Sequence, residues 1–215
     1  MYPEIFNILL YTHIAGGMIG LLSGLFIMIA KKGDKRHQKM GRVYFWSMLI
    51  SAIVAIPMSY LHPNWFLFMI SIFTIYMLTT GVRSLKIKKE KDVKKIDWIL
   101  STTMLLFGLG FIILGTKLIL SQNNFGIVLI VFGTIGISFV YKDWKNFTGI
   151  STIKNFYLIT HIGRMAGAYI ASLTAFIVVN NHDFIPGIVA WLLPTLIITP
   201  LIFKWTRKYQ RVKSV

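Results

Sequence analysis

The chain has 215 residues, of which 55% are hydrophobic and only 14% are charged, so it lacks the polar surface that a soluble domain of this length needs. It contains no cysteine, which excludes disulfides, thiolate metal sites and iron–sulfur clusters. The net charge of +16 does not indicate nucleic-acid binding, because the basic residues lie in short clusters between long apolar runs.

Seven apolar segments each approach the length of roughly 20 residues that a transmembrane helix needs. In chain order they are residues 5–30, 43–61, 66–85, 98–120, 125–141, 156–179 and 187–205. The first segment has no basic region before it and is longer than the hydrophobic region of a signal peptide, so we expect a retained helix. The sequence therefore predicts an all-α fold, a bundle of seven transmembrane helices in one polytopic domain.

Basic residues are segregated among the connections between these segments. Residues 31–42 and 86–97 hold six Lys or Arg each, residues 142–155 hold three and the tail from Lys204 holds five, whereas the alternate connections hold none. The positive-inside rule therefore places the N-terminus outside and the C-terminus in the cytoplasm. We expect the chain to lie in a bacterial cytoplasmic (inner) membrane, with its basic loops against anionic lipid head groups.

The acidic residues avoid the middle of every predicted span. All of them map to connections or to span ends: Glu4, Asp34, Glu90, Asp92, Asp97, Asp143 and Asp183. This distribution argues against a proton pump or cation carrier built on buried carboxylates. The sequence also lacks a glycine-rich phosphate loop, a nucleophile elbow and an HExxH motif, so it assigns no catalytic residue.

One histidine and four glycines share a face of the first predicted helix. They are His13, Gly16, Gly17, Gly20 and Gly24. One interpretation is close helix packing, with His13 hydrogen-bonded to a neighbouring span. The other is that the glycine face leaves room for a flat ligand whose metal the imidazole binds, as haem-binding membrane helices do.

The sixth span carries His161 and Arg164 on one face. Arg164 lies about eight residues, or roughly 12 Å, inside the predicted cytoplasmic boundary. A charge at that depth is costly unless it is paired or snorkels to the surface, so Arg164 is a functional candidate. Its counter-ion must be Asp97, Asp143 or an anion that the chain does not encode, such as a haem propionate, a lipid phosphate or a small anion.

The five histidines form two predicted layers across the membrane. His13, His62 and His182 lie toward the outer side, and His37 and His161 lie toward the inner side. By helical rise, His13 and His161 are separated by roughly 17 Å along the membrane normal, which is too far to bind one metal. Two layers suit a di-haem arrangement, although a histidine in a loop is more often solvated than bound to metal. An outer zinc or copper site from His13, His62 and His182 is a further option.

Four short segments, spread over most of the chain, carry a family resemblance. They are "HIAGGMIGLLSG" (13–24), "HQKMGRVY" (37–44), "HIGRMAGAYIASLTAF" (161–176) and "WLLPT" (191–195). With them the chain resembles the bacterial multispanning membrane proteins grouped as a domain of unknown function, a family with no activity to transfer. The resemblance singles out six positions: His13, His37, Gly41, Arg42, His161 and Arg164. Membrane di-haem cytochromes are similar in having two histidine layers, but here not all candidate ligands lie in predicted helices.

The leading hypothesis is a b-type haem-binding protein that transfers electrons to a redox partner or within a membrane complex. In it His13 and His161 are axial ligands of haem b, with His62 and His37 as their partners, and Arg164 neutralises a propionate. The alternative is a carrier or receptor for a small anion or lipid head group, which Arg164 and His161 bind. A third possibility is a structural membrane subunit with no ligand. Gly41 and Arg42 are expected to set the turn into the second helix.

Overall fold

A computed structural model describes residues 3–182 and 184–210, and these residues form seven α-helices and no strand. The helices are α1 (Pro3–Ile29), α2 (Lys35–Leu61), α3 (Trp65–Ser84), α4 (Lys95–Leu120), α5 (Phe125–Phe147), α6 (Phe156–Val179) and α7 (Gly187–Arg207), with a short 3-10 helix at Glu90–Asp92. Each α-helix is long and apolar enough to cross a membrane. The all-α, seven-helix prediction is confirmed, and the orientation of the termini stays a prediction.

The second helix begins earlier than its apolar segment does. α2 starts at Lys35 rather than at residue 43, so His37, Gly41 and Arg42 lie in its first two turns. The predictions of a loop at His37 and of a turn at Gly41 and Arg42 are wrong. Hydropathy locates where a helix meets the head groups, whereas the helix itself continues to its cap, and Asp34 caps α2 by accepting the N–H of His37 at 2.7 Å.

The described residues form two compact units. The first unit comprises residues 3–78 and 166–200, and it contains α1, α2 and parts of α3, α6 and α7. The second unit comprises residues 79–165 and 201–210, and it contains α4, α5 and the remaining parts of those three helices. The prediction of a single polytopic domain stays a prediction.

In the second unit, α4 and α5 meet backbone to backbone. A Cβ atom on Gly115 would lie 2.6 Å from the carbonyl oxygen of Gly126, and one on Gly133 would lie 2.7 Å from that of Gly108. Real Cβ atoms essentially never approach a backbone so closely, so only glycine permits this crossing. The close crossing holds the two helices side by side along most of their length.

Candidate functional site

His13 in the first unit is joined to α2 by two reciprocal hydrogen bonds. Its Nδ1–H donates to the carbonyl oxygen of Ser51 at 3.0 Å, and the Ser51 hydroxyl donates to the carbonyl oxygen of His13 at 2.9 Å. Because a carbonyl oxygen can only accept, Nδ1 of the ring carries a proton. The hydrogen bond to a neighbouring span is therefore present, as the packing interpretation of His13 requires.

The glycines that follow His13 are covered by α2. A Cβ atom on Gly16 would lie 2.8 Å from the carbonyl oxygen of Ser47, and one on Gly20 would lie 2.6 Å from Cε of Met48. At these two positions α2 therefore lies directly against α1. The glycine row itself therefore serves helix packing, and the binding of a flat ligand beside it stays a prediction.

Arg164 on α6 is buried and paired within the second unit. Its Nη2 donates to Oδ1 of Asp143 at 2.7 Å, and each of the two side chains is 4% exposed. The guanidinium also donates to the carbonyl oxygen of Phe139 and to the hydroxyl of Thr80, and it lies 4.5 Å above the Phe139 ring. Asp143 accepts a further bond from the Ser101 hydroxyl at 2.9 Å. The counter-ion of Arg164 is therefore Asp143, and no propionate is needed for that role.

A second ion pair, Arg83–Asp97, links α3 to the first turn of α4. Nε and Nη2 of Arg83 donate to the two carboxylate oxygens of Asp97, at 2.7 and 2.5 Å. Asp97 also accepts the backbone N–H of Lys94 at 2.8 Å, which caps the start of α4. The Asp97 side chain is 2% exposed and that of Arg83 is 22% exposed, so the pair is buried on its acidic side and accessible on its basic side.

A small cavity with polar and apolar walls lies beside both ion pairs. Its lining includes Thr80, Arg83, Asp97, Asp143, Asn146 and Thr160. Its volume of about 20 Å³ is enough for one water molecule, which needs roughly 10–15 Å³. The lining offers hydroxyl, amide, carboxylate and guanidinium groups, so a small polar molecule there has several hydrogen-bond partners.

Gly81 explains how α6 brings its two candidate residues to this cluster. A Cβ atom on Gly81 would lie 3.0 Å from Cβ of Arg164 and 3.0 Å from the sulfur of Met165, so α3 and α6 approach closely at this point. The Nδ1–H of His161 donates to the carbonyl oxygen of Gly81 at 2.8 Å. The close approach therefore places His161 and Arg164 against α3 together, as their shared helical face predicted.

The other three histidines lie at helix ends. His62 caps α2 and packs its ring on Phe6, with centroids 4.1 Å apart, and His182 follows α6 with φ +38°. His37 lies in the first turn of α2, where its Nδ1 is buried without a hydrogen-bond partner among the described residues. Within residues 3–182 and 184–210, no three His, Cys, Asp or Glu side chains form a metal-binding group. His13, His62 and His182 are thus not assembled into a zinc or copper site.

The sequence alone identifies Arg164 and His161 as candidates and names Asp97 and Asp143 as alternative counter-ions of Arg164, but it overlooks Arg83 as a member of the same cluster. The sequence does contain a signal for the cluster, namely equal numbers of arginines and aspartates near one side of the membrane. Two arginines lie within predicted spans near one side of the membrane, and two aspartates lie at span ends on that side. Buried charges are normally paired, so equal numbers of opposite charges at one level indicate ion pairs.

A family model described as Predicted membrane protein (DUF2306) matches residues 10–120, slightly more than half of the chain. The matched region contains α2, α3, α4 and most of α1, and with them His13, Arg83 and Asp97. Asp143 and Arg164 lie beyond the match. No curated protein and no solved structure matches the chain.

Proposed function

Since the chain belongs to the DUF2306 family of predicted membrane proteins and has seven helices able to span a bilayer, we propose that this multipass membrane protein is a carrier or receptor for a small anion. The observation that carries the proposal is the buried Arg164–Asp143 pair, whose carboxylate lines a small cavity. Charged side chains within membrane spans are rare, pair with one another, and mark the pathways of substrates and ions.

The stability of the fold does not explain why the Arg164–Asp143 ion pair is present. Replacing a buried ion pair by apolar side chains of similar volume is often neutral, or stabilising by about 1–4 kcal/mol. A helix bundle that needed only to be stable would be served as well by such side chains. The retention of two aspartates and two arginines around one cavity therefore supports a role in binding.

The cluster favours an anion because its accessible charge is basic. Arg83 uses Nε and Nη2 for Asp97, so the Nη1 edge of its guanidinium points away from that carboxylate. A carboxylate or phosphate presents the same oxygen atoms as aspartate and can exchange with it at a guanidinium.

Exchange at Arg164 links binding to helix packing. The Asp143–Arg164 bond joins α5 to α6, so an anion that replaces Asp143 removes one connection between these helices. A ligand can shift a conformational equilibrium only through such differential contacts. Binding of an anion in the cavity would therefore change how α5 and α6 pack against each other.

The test is the thermal stability of the detergent-purified protein with inorganic phosphate and with acetate as probes. We expect Tm to rise saturably with one of them. At ten times Kd the stabilisation is about 1.4 kcal/mol, which corresponds to roughly 3–6 °C for a chain of this length. Arg83→Gln should weaken this response at least tenfold. Lys88→Gln, which removes one exposed charge from the neighbouring connection, should leave it unchanged. Equal responses from both variants, or none from the unchanged protein, would contradict the proposal.

A second candidate, haem b electron transfer, is favoured by the orientation of two histidines. His13 and His161 both donate Nδ1–H to a backbone carbonyl, and such a bond fixes the orientation of the ring, as it does in metal-binding histidines. An absorption spectrum, recorded after expression with haem supplied, decides this candidate. A Soret band with sharp reduced α and β bands, lost in His13→Ala or His161→Ala, would support it. A colourless but folded and monodisperse protein would rule it out.

A further inference from the structure

α2 is longer than the hydrocarbon core of a bilayer. Its 27 residues span about 40 Å at a rise of 1.5 Å per residue, whereas the core is about 30 Å thick. The apolar part of the helix begins near residue 43, so the first two turns extend into the head-group region. Because the helix is continuous from Lys35, the side chains of these turns have fixed directions relative to the apolar part.

One exposed face of α2 carries three cations followed by an indole. Lys35, Lys39 and Arg42 are exposed, and their spacing of four and three residues places them on the same side of the helix. The face continues with Trp46, which is 59% exposed, and with Ile50, which is 46% exposed. This order matches the phosphate, interfacial and hydrocarbon levels of a bilayer.

The acid nearest to these cations is engaged elsewhere. Asp34 accepts the backbone N–H of His37 and so caps α2. In the part of the chain that the structure describes, none of Lys35, Lys39 and Arg42 forms an ion pair with a carboxylate. The cationic charge of this face is therefore available to a ligand.

We propose that this face is a binding site for one anionic phospholipid. The cationic stripe, defined as Lys35, Lys39 and Arg42, binds the lipid phosphate. Trp46, whose ring packs edge to face on Phe45 with centroids 5.1 Å apart, lies at the level of the glycerol, where amphipathic indoles are favoured. An acyl chain then follows the apolar continuation of the face. The site is independent of the anion-carrier function and of the orientation of the termini.

The test compares two triple variants of the full chain that lose equal charge. Lys35→Gln/Lys39→Gln/Arg42→Gln removes the cationic stripe, and Lys86→Gln/Lys88→Gln/Lys91→Gln removes three exposed lysines from the connection between α3 and α4. The measurement is Tm in detergent as phosphatidylglycerol is added, with phosphatidylcholine as the neutral lipid. We expect phosphatidylglycerol to stabilise the unchanged protein and the second variant alike, and its apparent affinity for the stripe variant to fall at least tenfold.

Two outcomes would overturn the lipid site. An equal loss in both triple variants would mean that only the overall positive charge attracts the lipid, and an undiminished response of the stripe variant would mean that the lipid binds elsewhere. The single change Arg42→Gln at an exposed position repeats the comparison with a smaller perturbation, against Lys88→Gln. There we expect at least a threefold loss of affinity for the first and none for the second.

Discussion

Asp143→Asn is expected to lower the free energy of unfolding by about 3–5 kcal/mol and Tm in detergent by roughly 10 °C. The exchange keeps the shape of the side chain and an acceptor for the Ser101 hydroxyl. It removes the negative charge beside Arg164. This arginine is 3% exposed, so water cannot solvate its guanidinium in place of the lost carboxylate. A buried charge without its partner is the most costly state of an ion pair. Circular dichroism at the helix band during heating measures the change.

The double variant Asp143→Asn/Arg164→Gln distinguishes this cause from general disruption. Since it removes both charges, we expect it to recover much of the stability that the single variant loses. Glu4→Gln removes one negative charge from an exposed position at the start of α1 and should leave Tm within about 2 °C. If the double variant loses as much stability as Asp143→Asn and Arg164→Gln lose together when made singly, the two residues do not interact.

Gly115→Ala is expected to destabilise the protein by about 1–3 kcal/mol, whereas Gly110→Ala in the same helix should be neutral or slightly stabilising. The new methyl group at Gly115 meets the backbone of Gly126, and a backbone cannot move aside as a side chain does. At Gly110 no atom lies within 4 Å of the added Cβ, so the intrinsic preference of helices for alanine, about 0.5–1 kcal/mol, acts alone. Tm of the two purified variants gives the comparison.

A substitution on the other helix of the crossing provides a further check on this contact. Gly126→Ala, on the other side of the crossing, should destabilise as Gly115→Ala does, because its methyl group meets the Gly115 carbonyl oxygen. Similar Tm values for the Gly115 and Gly110 variants would show that α4 and α5 are free to separate. That result would remove the packing argument for the position of α5.

The number of helices could be predicted because each apolar segment reflects a single physical requirement, the burial of about 20 residues in hydrocarbon. Their ends could not, because a helix continues into the head groups for as long as its side chains tolerate water. α2 shows the difference most clearly, since six of the eight residues from Lys35 to Arg42 are polar or basic and yet all eight are helical. Hydropathy responds to the solvent of a residue rather than to its backbone conformation.

The site was predictable in part for a similar reason. Arg164 is conspicuous because a charge within a span is costly wherever its partner lies. Asp143 is not conspicuous, because its position near the end of α5 is compatible with solvent, and only the packing of α4, α5 and α6 buries it. The seven-residue spacings of Gly108 with Gly115 and of Gly126 with Gly133 are visible in the sequence and indicate one small-residue face on each helix.

The backbone contact between α4 and α5 has a consequence for how the chain is assembled during synthesis. These helices are neighbours in sequence, separated by a short turn, so their glycines can meet as soon as both have entered the bilayer. Ser101 and Asp143 are then already side by side. We therefore expect Asp143 to be in position before α6 is inserted. Arg164 can then form its ion pair on insertion, without first lying unpaired in the lipid.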